Sequence, residues 1–423
     1  MKKQIYGILI TISALLVAAA LILFLSGKGN IGPFLIPAFI LLSLGVRGYE
    51  KLKGFSYTLW IVTAVITSMF YPQYFISAGN FQFKQLIVPL LQIIMFGMGS
   101  QMSFADFTGV IKMPKGVFVG VVSHYMIMPF VGFAIAGIFN FPPEIAAGII
   151  LIGCVPSGLA SNVMSFLSKA NLALAVTVGA ISTLLSPLVT PLLMKWLGGQ
   201  YIEVSFWSMM LDIMKMIILP IIAGFTFNLF LKGKESIRSI FLQLAAYTGI
   251  ILLTSMLYMK VNKTDTGAFL SQSLRAVSWF LLLPSVGALL MKRFVTGGEE
   301  LMSRILSMIS MVGIATIVVV ITASGRNDLM KVGALLLVTS LLHNLTGYTL
   351  GYWLSWLVGM PERDRRTIAF EVGMQNGGLA TGLALQMGKV ATVGLAPAIF
   401  GPLMNVTGSI LANYWRGKPV EKE

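Results

Sequence analysis

Apolar runs punctuated by glycine, proline and charge divide the chain into fourteen segments: 5–25, 32–46, 56–76, 85–102, 113–139, 144–168, 171–196, 207–231, 239–259, 268–292, 301–323, 329–358, 366–388 and 391–415. Unbroken runs of about 20 apolar residues are the length that crosses a bilayer as helix. The segment 32–46 is the shortest and carries Pro33 and Pro37. The opening MKKQIYGILI has the charge-then-apolar order of a secretion signal, but no small-residue cleavage site follows it, so a retained helix is expected. The pattern holds no soluble domain, linker or low-complexity tract.

Composition turns this pattern into a class. Of 423 residues, 57% are hydrophobic and 11% charged, against roughly 25% charged in soluble chains. So few charges cannot cover a water-facing surface, and an all-α integral membrane protein in a lipid bilayer is expected. The formal charge of +15 would point to nucleic acid in a soluble protein. Here positive-inside bias accounts for it, and no nucleic-acid partner is expected. With a cytoplasmic N-terminus, the loops on that side collect twenty Lys and Arg, among them Lys2, Lys3, Lys51, Lys53, Lys234, Arg363, Arg365 and Lys422. The opposite loops collect eight: Lys28, Lys84, Lys195, Lys260, Lys263, Arg326, Lys331 and Lys389. An even span count then places both termini in the cytoplasm, with the plasma (inner) membrane as the location. The remaining two, Lys215 and Arg275, are read as sitting in the first turns of their segments and snorkelling rather than lining a pathway, and Asp212 with Lys215 as an interfacial pair. One cysteine, Cys154, and two histidines exclude a disulfide and a multi-Cys or His-rich metal centre.

The two halves echo each other. GLAS at 158–161 aligns with GLAT at 378–381, and Lys169 with Lys389, at an offset of 220. His124, Gly132 and Pro142 align with His343, Gly351 and Pro361 at an offset of 219, so the only two histidines fall at equivalent places. Seven spans per copy, an odd number, would make the second copy enter from the opposite face. An inverted 7+7 repeat is therefore expected, 1–200 and 201–423. Such repeats are typical of secondary transporters with a site at the midplane.

One acidic residue lies well inside an apolar segment. Glu371 sits in TIAFEVGMQNGGLATGLAL, followed by Gly373, Gly377 and Gly378. A buried membrane charge costs about 2.5–3.5 kcal/mol on lenient scales and needs compensation. The glycines predict an interrupted helix whose free carbonyls, with the Glu371 carboxylate and the amides of Gln375 and Asn376, suit a hard cation. The alternative is a cytoplasmic-end glutamate paired with Arg365 or Arg366. In the first half, GCVPSGLASNVMSFL carries Pro156 and Gly158, which predict a second break with Ser161 and Asn162 just beyond it. If the broken helices cross, two helix N-termini converge where a carboxylate binds. Ser161 and Asn162 alone would also fit simple helix packing. His124 and His343 are read either as core residues or as a proton-linked pair.

GCVPSGLASNVMSFL, STLLSP and EVGMQNGGLA, with IIMFGMG upstream and LLHNLTGYTLGY before the glutamate, resemble the bile acid:sodium symporter family over about 85–196 and 301–415. The resemblance implies a panel domain and a core domain, here 113–196 with 329–415, containing two crossing broken helices. The family's bacterial form has ten helices, so four are extra, assigned to 32–76 and 239–292. It implies sodium-driven uptake of an organic anion by alternating access. One implied sodium site is Ser161, Asn162 and Glu371, with Ala175 and Gly179 at the family's hydroxyl positions. A second is Glu371, Val372, Met374 and Gln375, with His124 where the family has glutamine. Asn376 and the stretch Gly158, Leu159 and Ala160 are implied to contact substrate.

The expectation is a sodium-coupled importer of a small organic anion, working as a monomer and needing no cofactor beyond sodium as coupling ion. A proton-coupled or uncoupled carrier is the alternative, and an intramembrane lipid-modifying enzyme the third reading. The sequence does not name the substrate.

Overall fold

The computed structural model describes residues 2–27, 30–49, 52, 55–102, 109–233, 237–295 and 298–420. The expected basic residues Lys28, Lys51, Lys53, Lys234 and Lys422 lie outside the described residues. The architecture is helical apart from a two-stranded hairpin, β1 (Ser77–Ala78) against β2 (Phe81–Gln82). In chain order the helices are α1 (Lys2–Leu25), α2 (Gly32–Gly45), α3 (Ser56–Phe70), α4 (Ile87–Gln101), α5 (Pro114–Ile138), α6 (Pro143–Cys154), α7 (Ala160–Leu167) and α8 (Leu172–Trp196). The chain continues with α9 (Phe206–Ile213), α10 (Leu219–Lys232), α11 (Ile237–Asn262), α12 (Thr266–Val277), α13 (Leu283–Phe294) and α14 (Gly298–Ser324). It ends in α15 (Arg326–Leu357), α16 (Glu362–Gly373), α17 (Gly377–Gln386) and α18 (Leu395–Arg416). Short π turns, Met214–Ile218 and Ser278–Leu282, join α9 to α10 and α12 to α13.

Among the described residues, ten helices are long and apolar enough to cross a membrane. Shorter apolar helices lie at Gly32–Gly48, Leu59–Phe70 and Pro143–Cys154. The predicted segment 56–76 is interrupted after Phe70, because Pro72 cannot donate to the preceding turn, and one further helical turn, Gln73–Ile76, follows. Segments 144–168 and 366–388 are each two helices, as their glycine and proline content predicts.

Local sequence explains many boundaries. Asn171 caps α8 by accepting from the Leu174 amide at 3.1 Å, while its own amide donates to Asp364 at 2.8 Å. Pro142 and Pro361 are the N-caps of α6 and α16. A Cβ on Gly132 would lie 2.8 Å from the Ile149 carbonyl oxygen, and one on Gly351 3.1 Å from that of Ile368. All three pairs are 219 residues apart, so the aligned glycines make the same close helix approach in both halves.

Helices α5, α6, α15, α16 and α18 pack together, with α8 on α5 and α16. Helix α4 packs against α10 and α14, and α3 against α14 and α18. The span 32–76 is therefore not one unit: α2 packs on α1 and α3, whereas α3 itself reaches deep into the bundle. Arg366 is almost wholly buried. It donates to Glu362 at 2.8 Å and to the carbonyls of Ser168, Trp415 and Pro419 at 3.1–3.2 Å. Arg365 also lies by Glu362, at 3.8 Å, so neither arginine pairs with Glu371. Lys389 pairs with Glu144, joining α6 to the turn after α17.

Two readings of single residues are corrected. Lys215 lies in the π turn nine residues into its span, not in the first turn, and its ammonium sits 3.5 Å from the centre of the Tyr258 ring. It makes no ion pair with Asp212 within 4.0 Å among the described residues. Lys215 and Arg275 also line one wide cavity, instead of only reaching to segment ends.

Candidate functional site

The two helix breaks meet. Between α6 and α7, Val155–Leu159 leaves helical geometry, and between α16 and α17 so does Met374–Asn376. Ser157 and Gln375 form an antiparallel bridge. The Gly158 amide donates to the Met374 carbonyl at 3.1 Å, and the Asn376 amide to the Pro156 carbonyl at 2.8 Å. Each break thus satisfies backbone groups that the other frees. Only glycine fits at 158, because a Cβ there would lie 2.6 Å from the Gln375 carbonyl oxygen.

Glu371 is fully buried beside this junction, on α16. Both its carboxylate oxygens lack a hydrogen-bond partner, with the Ser157 and Ser161 hydroxyls nearby. A Cβ on Gly179 would lie 3.5 Å from Glu371 Oε2, which puts α8 directly against the carboxylate. Ser161 donates to the Gly158 carbonyl at 2.7 Å and accepts from Ser157 at 3.3 Å. Asn162 Oδ1 and Gln375 Oε1 are likewise buried without partners. Gln375 donates through Nε2 to the Val372 carbonyl at 2.8 Å. The Val372 and Met374 carbonyls therefore each already accept one hydrogen bond, leaving one lone pair on each.

His124, on α5, bridges the two broken helices. Its Nδ1 lies 2.8 Å from the Glu371 carbonyl oxygen and its Nε2 2.9 Å from that of Val155. His343 behaves differently despite its matching position: Nε2 contacts the Met128 carbonyl at 2.8 Å, and Nδ1 has no partner. The histidines are not equivalent, because only His124 faces the carbonyls freed at both breaks.

Two cavities flank the junction and share Gly158 and Leu159. One of about 280 Å³ is lined also by Ser157, Ser161, Asn162, Gly179 and Gln101. The other, about 120 Å³, is lined by Ala160, Gln375, Asn376, Gly377, Gly378 and Asn405 among others. The N-termini of α7 and α17 both border this second space. Asn376 caps α17, accepting from the Leu379 amide at 3.0 Å. Every expected site residue is at or beside the junction; Ala175, buried on α8, is placed by no contact with the carboxylate.

Sequence reasoning missed two contributors. Asn344 donates to the Gly373 carbonyl at 2.8 Å and accepts from Thr407 at 2.5 Å, fixing the end of α16. Its signal was its place beside His343 in LLHNLTGY. Gln101 reaches the larger cavity from α4, and nothing in its local sequence marks it.

The Sodium Bile acid symporter family profile matches residues 88–266, running through 201–266, where the quoted motifs are absent, and stopping short of Glu371. Similar proteins extend further. A sodium-dependent transporter of Bacillus subtilis, YocS, is 32% identical over 379 residues, covering 89% of this chain and 96% of its own. A probable sodium/metabolite cotransporter of Arabidopsis thaliana chloroplasts, BASS1, is 26% identical over 361 residues, covering 85% of this chain and 73% of its own. In fold, the sodium proton antiporter MjNhaP1 of Methanocaldococcus jannaschii superposes with a TM-score of 0.50 at 12% identity, covering 91% of this chain and 98% of that one. These are transporters, which removes the intramembrane-enzyme reading. The crossed breaks, the buried glutamate and the 32% identity along nearly the whole of a relative place the chain in the sodium bile acid symporter family.

Proposed function

We propose that the protein is a secondary active transporter that couples sodium entry to uptake of a small organic anion by alternating access. The observation that carries this reading is the set of four buried oxygens without hydrogen donors: both of Glu371, Oδ1 of Asn162 and Oε1 of Gln375. An unpaired buried acceptor costs about 1–3 kcal/mol and an unpaired carboxylate more. A hard cation ligated by oxygen cancels these costs together. Sodium is accordingly assigned to Ser161, Asn162, Glu371, Val372, Met374 and Gln375, with His124 closing one side. The anion is assigned to the 120 Å³ space between the two helix N-termini, contacting Gly158, Leu159, Ala160 and Asn376.

The bundle is read as fourteen spans with both termini in the cytoplasm of a plasma (inner) membrane protein, and as an inverted repeat. The packing supports a pairing of α3 with α9–α10 and of α4 with α14, since α3 meets α14 as α10 meets α4. On that pairing the peripheral pairs are α1–α2 and α11–α13. The core domain comprises 113–196 and 329–415.

The second reading is coupling to protons. His124 faces two carbonyl acceptors, and only a doubly protonated ring donates to both. A ring that takes up its second proton on one side of the membrane and loses it on the other would replace a second sodium as the coupling ion. The deciding experiment is uptake into proteoliposomes with sodium and proton gradients imposed separately, after a thermal-shift screen of carboxylic acids with and without sodium. Uptake driven by sodium alone supports the main reading; uptake indifferent to sodium and driven by protons replaces it.

A further inference from the structure

A cavity of about 750 Å³ lies away from the crossed breaks, between α4, the α9–α10 span and the α12–α13 span. Both π turns border it. Lys215 comes from the first, and Trp279 and Phe280 from the second. Single π turns inside α-helices concentrate at functional positions. Gln92 donates to the Lys215 carbonyl at 3.1 Å.

The two spans run parallel, because the 26-residue α11 crosses between them. Lys215 and Arg275 each lie nine residues from the start of their span, about 14 Å along the axis. Both cations border the one cavity. Below them Leu219, Ala223 and Phe227 follow at four-residue steps, making an apolar trough about 18 Å long from Lys215. Trp279 and Leu283 are exposed, so the trough opens sideways to lipid.

The charges are unbalanced. Asp212, one turn before Lys215, is the acid that offsets that ammonium but does not line the cavity. Arg275 makes no ion pair among the described residues. These three groups leave one net positive charge at the head of an apolar trough, at a depth where an unpaired charge is costly.

We infer that this groove seats one monoanionic phospholipid, its phosphodiester between Lys215 and Arg275 and one acyl chain along Leu219, Ala223 and Phe227. A single negative charge balances the single excess, and the open side admits the second chain to the bilayer.

Native mass spectrometry of the full chain released from nanodiscs of mixed phosphatidylglycerol and phosphatidylcholine tests this. The wild type should retain one phosphatidylglycerol in preference to phosphatidylcholine, and Arg275→Gln should lower that retention about fivefold. Gly287→Leu keeps every charge and fits sterically, since a Cβ there meets only Phe227 at 3.9 Å. It should lower retention of phospholipid by filling the trough. Equal retention of the two lipids, or retention unchanged in either variant, would overturn the proposal. The lipid comparison on wild type alone decides the matter if a variant fails to fold.

Discussion

The Gly158 amide donates to the Met374 carbonyl at 3.1 Å, linking residues 216 positions apart, one in each broken helix. This hydrogen bond and its mate from Asn376 to Pro156 hold the two breaks in register. Neither break can move alone without stranding backbone groups in a dry interior, where each unpaired group costs several kcal/mol. The site is thus built as one unit from both halves.

Gly158→Ala follows directly from that register. Its Cβ would meet the Gln375 carbonyl oxygen at 2.6 Å, and backbone must shift on one side or the other. A stability loss of about 1–3 kcal/mol is expected from overpacking, with sodium-driven uptake falling to background in proteoliposomes. Gly249→Ala, on α11 away from the junction, is the control: its Cβ would meet nothing within 4 Å, and activity should survive. Equal activity of the two variants would show that the register does not matter.

Glu371→Gln removes the only charge at the junction and leaves its shape. The amide also gains a donor, so the fold should hold or tighten in the absence of sodium. Stabilisation by added sodium, read as a shift in thermal unfolding, should disappear, because linkage needs a bound ion. A sodium shift of wild-type size would remove Glu371 from the cation site.

His124→Gln restores an amide where the ring now spans the carbonyls of Glu371 and Val155. The amide oxygen is a hard ligand of the kind an imidazole does not supply. Sodium dependence of uptake should steepen, the Hill coefficient rising from about one toward two. No change in steepness would mean that His124 does not occupy a cation position.

Arg366→Met should destabilise the end of the core where α16 begins, without touching the junction. The guanidinium holds Glu362 and three carbonyls while only 2% exposed. Leaving these partners unpaired is expected to cost about 3–5 kcal/mol, read as a lowered Tm in detergent. Arg366→Lys should recover little of it, because an ammonium lacks the planar fork that reaches all four acceptors.

Much of this molecule is decided locally, and the sequence alone carries that part. Span positions follow from apolar run length, because a bilayer accepts only hydrogen-bonded helix of sufficient length. The breaks follow from Pro156, Gly158 and the glycines after Glu371, since proline removes a donor and glycine tolerates close backbone. The Gly132 and Gly351 echo survived as matching helix contacts for the same reason: close approach has one residue solution. What the sequence left open is decided by groups distant along the chain. Arg366 stands four residues after Glu362 and five before Glu371, and only the four-residue spacing shares a helix face, so it pairs with Glu362 and leaves the Glu371 carboxylate facing inward. His124 and His343 matched in position, but α5 alone passes both freed carbonyls. Lys215 and Arg275 gave no sign of sharing a groove, because a whole crossing helix, α11, separates them in the sequence and only the packing of α10 on α13 brings their spans together. Local preferences set where the helices are and where they break. Only packing, which satisfies some buried polar groups and leaves four oxygens at the junction bare, set the place to which we assign the cation.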